Sequence, residues 1–255
     1  MNYVIPIVLI IIIIIFDYFK INISEKEYYD NKSESNDISD LYVITLGKEE
    51  RMINIKNQQS KINKHINIFN AINGLKLDKN ILINENILSN NYNLSKNENH
   101  AKREIGCYLS HLNIYKRIKK YKKNGYTIIF EDDFLVNSDN LLEDVKKAIK
   151  TLQSKNIDFD FLFLGNTTNN YGTNISDNLY NVNPDQNLYG TYGYVINNKS
   201  IDKIIEKMNM IQYPIDVIIQ NLSYNNTFNT YIVYPNLVKH QWSYKSSVNN
   251  KENVI

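Results

Sequence analysis

The sequence predicts an α/β fold, with a mixed sheet flanked by helices in a single domain. Three observations lead there. Short β-branched and aromatic runs alternate with helical stripes along most of the chain, the pattern of strands and helices packed in layers. One of those runs, Thr127–Phe130, stops abruptly at three acids, Glu131, Asp132 and Asp133, and in open α/β sheets ligands bind at the carboxyl ends of strands. The length, 255 residues, suits one domain of good size plus an appendage.

The segments follow in order. Tyr3–Phe19 is apolar apart from Asp17, with Pro6 near its start. At about 1.5 Å per residue it reaches roughly 25 Å, close to the thickness of a thin bilayer. No Lys or Arg precedes it, and no Ala, Gly or Ser occurs before Ser24, so the small-residue cleavage site of a secretory signal is missing. Residues 1–20 are therefore expected to be a single-pass membrane anchor, with a signal segment as the alternative, placing the protein at an endomembrane lumen or a cell-envelope face. Residues 21–40 are polar and charged and read as a flexible stem. The folded domain is expected over 41–255.

Within that domain Leu41–Leu46 reads as a buried strand, followed by a polar helical segment and a second apolar stretch near Ile66–Ile72. Residues 76–102, rich in Asn, Lys and Glu, show no period and read as a long loop. Ile105, Leu109, Leu112 and Ile118 mark one face of a helix, and Tyr126–Phe130 a strand. Leu141, Leu142, Val145, Ala148, Ile149 and Leu152 form a helical stripe that Ser138 or Asp139 would cap. Strands follow at Phe159–Leu164, Gly193–Ile196 and Tyr231–Tyr234. Helices are marked by Ile201, Ile204, Ile205 and Met208, and by Ile215, Ile218, Ile219 and Leu222 after Pro214.

The bulk properties exclude several classes. A net charge of +2 with acids and bases well mixed is no nucleic-acid footprint. The single cysteine, Cys107, forbids an internal disulfide and falls in a helical pattern as a small buried side chain. The informative residues are the three consecutive acids. Adjacent carboxylates repel, and at a strand end a hard divalent cation would hold them together. Mg²⁺ and Mn²⁺ prefer oxygen ligands and often share them with substrate phosphates. The alternative is a solvated acidic turn.

REIGCYLSHLNIYKRI (Arg103–Ile118), followed by IIFEDD, resembles glycosyltransferase family 25, which includes bacterial lipooligosaccharide galactosyltransferases and collagen galactosyltransferases. The family pattern is G-E-I-G-C-x-L-S-H and then an L-E-D-D strand end. Other pieces match in order: YVITLGKEER (Tyr42–Arg51), AINGLKL (Ala71–Leu77), FDFLFLG, GTYGYVINNKSIDKII, YPID (Tyr213–Asp216) for P-V-D, and VYPNLVKHQWSYKSSV. Departures stand at Thr45 and Gly47 for an Asn and an Asp, Asn73 for an Asp, and Arg103 for a Gly.

The resemblance implies a GT-A-like fold and a metal-dependent, inverting transfer from a nucleotide sugar, UDP-galactose for the family, to a glycan or glycoprotein acceptor. Mn²⁺ is the implied ion, and the residue types admit Mg²⁺ as well. Glu131 and Asp133 have the spacing of a D-x-D motif and in an extended segment would face one site, with Asp132 joining them only in a tighter turn. Asp133 is expected to bind the metal directly, with Glu131 binding through water or contacting the nucleotide ribose. An inverting mechanism needs a base for the acceptor hydroxyl. Asp216 is the candidate by its match, although an Asp in a first helical turn is also simply favoured by the helix dipole. Glu104 would orient the acceptor or serve its helix start. Ser110 and His111 match the family's S-H pair and Gln241 another family position, all on the donor side. Arg51 would contact the diphosphate or lie on the surface, His240 would add a metal or phosphate contact, and Trp242 would stack on a sugar or pack. Two rival readings are an inactive sugar- or nucleotide-binding relative and another metal-dependent enzyme that cleaves phosphoesters.

Overall fold

Parallel pairing of three strands builds the edge on which the acids sit. The computed structural model describes residues 37–92, 97–167 and 171–242. Strand β1 (Ile38–Thr45) runs parallel to β2 (Asn67–Asn70) on one side and to β3 (Tyr126–Glu131) on the other. All three therefore end at one edge, at Thr45, Asn70 and Glu131. β8 (Gly193–Asn197) is antiparallel to β3 with Gly193 opposite Phe130, which brings Thr191 and Tyr192 to the same edge. β5 (Phe161–Phe163), β9 (Thr230–Val233) and the hairpin β6 (Asn174–Ser176) and β7 (Leu179–Asn181) complete an eight-stranded mixed sheet of order β2-β1-β3-β8-β5-β9-β7-β6. β4 (Phe134–Val136) and β10 (Val238–His240) form a separate antiparallel pair, with His240 opposite Phe134.

Helices cover both faces, as the GT-A-like expectation requires. Alternate residues of a strand face opposite ways, so the sheet feeds two cores. Tyr42, Ile44, Ile129, Tyr194 and Ile232 pack on one side with α3 (Glu98–Lys120), α5 (Ile201–Lys207) and α6 (Ile215–Tyr224). Leu41, Val43, Ile128, Phe130 and Val195 pack on the other with α4 (Leu141–Ser154). Between β1 and β2 lies α1 (Glu49–Gln59), which buries polar side chains, Arg51, Asn54 and Gln58, as well as Ile55.

Several expectations need correction. The loop expected over 76–102 contains α2 (Lys79–Asn84), capped by Asp78 accepting from the Asn80 N–H at 2.8 Å, and the first turn of α3. Helix α3 starts seven residues before Ile105 because its polar first turns bury only Ala101 and Glu104, a pattern without apolar period. Neither Ser138 nor Asp139 caps α4. Asn140 holds that position without a side-chain bond, and Ser138 instead donates to Asp144 at 2.5 Å. β1 begins at Ile38, so the last residues assigned to the stem belong to the sheet. The membrane location is also not supported: among the described residues no helix is long and apolar enough to cross a membrane. The expected anchor, 1–20, and the stem up to residue 36 lie outside the described residues.

One close approach sets the floor of the site. The 3₁₀ turn Gly74–Lys76 lies against α3, where a Cβ on Gly106 would come within 2.6 Å of the Gly74 nitrogen and 2.7 Å of the Ile72 oxygen. Beside it the Ile72 N–H donates to Ser110 Oγ at 2.8 Å, while that hydroxyl donates to the Gly106 carbonyl at 2.7 Å. In an open helix Gly→Ala stabilises by about 1 kcal/mol. Here the sign reverses, since the methyl meets backbone on another segment. Gly106→Ala is expected to destabilise by about 1–3 kcal/mol in denaturant unfolding, and a neutral or stabilising result would refute this packing.

Candidate functional site

The three acids occupy three different environments. Strand β3 ends at Glu131, and Asp132 and Asp133 form the turn into β4. The extended geometry that would pair Glu131 with Asp133 is therefore absent. Instead Asp132 and Asp133 share one cation, because Arg51 Nη1 lies 3.3 Å from Asp132 Oδ1 and 3.1 Å from Asp133 Oδ2. Arg51 is only 1 % exposed, so it lies behind the acids and is not presented to a diphosphate as expected. Helix α1 lashes the turn down through neighbouring side chains. Asn54 Nδ2 donates to the carbonyls of Asp132 and Phe134, both at 3.0 Å, and Gln58 Oε1 accepts from the Val136 N–H at 3.0 Å. Thr45, one of the departures from the family pattern, donates to Asp132 Oδ2 at 2.7 Å and accepts from the Gly47 N–H.

The environments separate the acidities. Burial pushes Asp132 up to about 6 against the Thr45 hydroxyl and Arg51, with the charges of Asp133 and Glu131 adding to the rise. Burial acts on Asp133 in the same sense, but hydrogen bonding and charge from His240, together with Arg51, outweigh it and hold that carboxyl below its ordinary value. His240 Nε2 lies 3.4 Å from Asp133 Oδ2, and the contact with Asp133 raises the imidazole pKa against its own desolvation. The Gln241 N–H donates to the Asp133 carbonyl at 2.8 Å. The strand pair β4–β10 thus delivers His240 and Gln241 to the acid turn. Trp242 follows, 75 % exposed, with its ring 4.6 Å from that of His240.

Glu131 faces the other way. It accepts from the Thr191 hydroxyl, and its Oε1 lies 3.4 Å from Nε2 of the wholly buried His111. His111 Nδ1 meets the Tyr194 hydroxyl at 2.6 Å, and that hydroxyl meets Tyr115 Oη at 2.7 Å. Ser110 works as the tie to Ile72 described above. Asp216 lies in the first turn of α6, accepting from the Val217 N–H at 2.9 Å. Burial raises its pKa, Glu131 raises it further, and the Val217 and Gly190 N–H groups oppose the rise. Glu104 is buried, accepting from Tyr92 Oη at 3.1 Å and meeting His100 Nε2 at 3.0 Å. Burial, with the charges of Glu131, Asp216, Asp133 and Glu104 adding to the rise, pushes the Cys107 thiol well up, so it is no thiolate nucleophile.

A cavity of about 240 Å³ opens beside the three acids, lined also by Thr45, Lys48, Asn73, Arg103 and Cys107. Lys48 and Arg103 are cations on its wall that residue patterns did not single out as ligands. Their signal was the match of their segments to the family. Among hard oxygen donors, one stands out. Asp133 Oδ1 is buried and has no hydrogen-bond partner among the described residues. An orphaned carboxylate oxygen is a fitting direct ligand for a hard divalent ion.

Comparison with known proteins agrees with the motif reading. Residues 38–219 match the model of glycosyltransferase family 25, described as LPS biosynthesis protein. No curated protein matches the sequence significantly. Among solved structures, an apo UDP-glucose pyrophosphorylase is similar at 10% identity and a TM-score of 0.41, over 77% of this chain and 90% of that one. The UDP-glucose complex of a UDP-glucose pyrophosphorylase gives 0.40 at 10% identity, over 77% and 90%. The apo-form glycosyltransferase GlyE of Streptococcus pneumoniae TIGR4 gives 0.34 at 13% identity, over 75% of this chain and 45% of that one. With the family model covering most of the chain, including the acid turn, the GCYLSH helix and Asp216, this protein belongs to glycosyltransferase family 25.

Proposed function

We propose that the chain is a metal-dependent, inverting galactosyltransferase that moves galactose from UDP-galactose to a glycan or glycoprotein acceptor. The observation that carries the metal site is the buried, unpartnered Oδ1 of Asp133 beside Asp132 and Glu131 on the cavity wall. Asp133 would hold Mn²⁺, or Mg²⁺, directly, with His240 adjacent and Glu131, on its separate network, reaching the ion only through water. Such an ion would neutralise the charge that grows on the departing UDP.

The remaining roles follow from what each side chain faces. Lys48 and Arg103 line the cavity and suit the diphosphate, taking the part expected of Arg51. Arg51 fixes the acids from behind. Asp216 accepts the proton of the acceptor hydroxyl as its oxygen bonds to the anomeric carbon and the bond to UDP breaks. Its raised pKa makes it a stronger base than an ordinary aspartate. Glu104, bridged to Tyr92 and His100, shapes the acceptor side. Thr191 holds Glu131 in place, with His111 beside it. Family membership speaks for sugar transfer and against the phosphoester-cleaving alternative.

One observation favours a second reading. Arg51 and His240 already balance part of the acidic charge, as they would in a relative that binds nucleotide sugar without metal or transfer. Isothermal titration of the full-length chain with UDP, with and without Mn²⁺, separates the two: UDP binding that gains nothing from Mn²⁺ supports the second.

The central test is UDP release by the full-length chain across UDP-sugars, with Mn²⁺ and a glycan acceptor. UDP-galactose is expected to be preferred. Asp133→Asn is expected to lose roughly a hundredfold or more, and a variant with full activity would remove Asp133 from the mechanism. Lys48→Ala is expected to raise the donor KM with kcat little changed, read from initial rates.

Asp216 allows a paired test. Its folded-state pKa is raised, so its contribution to stability is present below the ordinary aspartate pKa and lost as pH rises through the raised one. At neutral pH Asp216→Asn should therefore raise Tm while lowering kcat by about 10²–10⁴, and the acid limb of kcat/KM should lie above the usual carboxylate range. A variant that is less stable yet active would refute both parts.

A further inference from the structure

Beside the cavity lies a second cluster that shares Glu131 with the three acids. Cys107 Sγ, a ring nitrogen of His111 and a carboxylate oxygen of Glu131 lie within 4.8 Å of one another. Cys107 and His111 are four residues apart on α3, so one helix face presents both. Glu131 meets them from the end of β3. The His111 ring is wholly buried, and its Nδ1 is committed to Tyr194 Oη at 2.6 Å, which Tyr115 holds in turn. Nε2 is buried without a hydrogen-bond partner among the described residues, and it points toward Glu131 at 3.4 Å.

This is how proteins prepare an imidazole for a metal: an outer hydrogen bond at one nitrogen fixes the tautomer and ring orientation, leaving the other lone pair directed at the ion. The donor set differs in kind from that of Asp132 and Asp133. Sulfur, imidazole nitrogen and one carboxylate together suit a borderline-soft ion, with a further position open to substrate or water. We propose that Cys107, His111 and Glu131 form a second metal site, selective for a thiophilic divalent cation of the zinc class. The half-buried Cys107 and Glu131 both line the cavity, which supplies the entry path. On binding, the Cys107 S–H bond breaks, sulfur bonds to the ion and the proton leaves to solvent. Because Glu131 also faces the donor pocket, an ion here competes for that carboxylate with any hard ion held beside Asp133. The site does not depend on the sugar-donor reading, since uptake is measured without nucleotide or acceptor.

The test uses the full-length, tag-free protein titrated with Co²⁺ as a spectroscopic substitute for Zn²⁺. A saturable near-ultraviolet thiolate-to-cobalt charge-transfer band, bleached by added Zn²⁺, is expected. Alkylation of Cys107 in the wild-type chain should slow about tenfold or more with Zn²⁺ present, a readout that needs no variant to fold. Cys107→Ser should lose the band, and it and His111→Gln should each weaken Zn²⁺ binding by about tenfold or more. Cobalt binding without the band, alkylation indifferent to Zn²⁺, or Cys107→Ser holding Zn²⁺ like the wild type would each overturn the proposal.

Discussion

A guanidinium sealed beneath a two-acid turn organises this site. Arg51 lies 3.1–3.3 Å from Asp133 and Asp132 and is almost wholly removed from water. Desolvating such charges is costly, and removing one partner leaves the others buried and uncompensated. The arrangement therefore ties the fate of the turn to that of α1. Asn54 and Gln58 add three further bonds from the same helix to the acid turn and β4. The connection is held along its whole length, so the carboxylates are placed before any ligand arrives, which is the condition for electrostatic preorganisation.

Around this anchor the acids divide their work. Asp132 is neutralised in part by burial and is held by Thr45. Asp133 stays ionised, with one oxygen on Arg51 and His240 and the other without a hydrogen-bond partner among the described residues. Glu131 belongs to a separate network of His111, Thr191 and Tyr194. Three consecutive residues thus address three neighbours, because the strand gives way to a turn between the first and second. A single mutation in the triplet is consequently a different experiment at each position.

The sequence made the strand ends and helix stripes legible because apolar periodicity is a local signal. It marked β3 and its acids, the α3, α4 and α6 faces, and Asp216 at a helix start. It could not mark α2 or the first turns of α3, whose residues are polar and whose order comes from caps and from packing. The short strands β4, β6, β7 and β10 are specified by their partners across the sheet and carry too few residues for a pattern. Arg51 was visible as a candidate, but its role was not. Pairing it with residues some eighty positions away depends on how α1 sits against β4, which no local pattern encodes. Thr191, Tyr194 and Lys48 escaped for the same reason: each becomes a site neighbour only through topology. The apolar segment before residue 20 suggested a membrane location that the described fold does not support.

The order of the sheet has a consequence for biosynthesis. β9, which in chain order follows every described strand but β10, lies between β5 and β7, and β10 closes on β4 beside Asp133. Until the ribosome has released residues through Gln241, the sheet lacks an interior strand and the acid turn lacks His240. A nascent chain can gather its helices early, yet it must wait for β9 and β10 before the pocket exists, and a stalled or clipped product lacking them would expose the flanks of β5 and β7 to neighbouring chains.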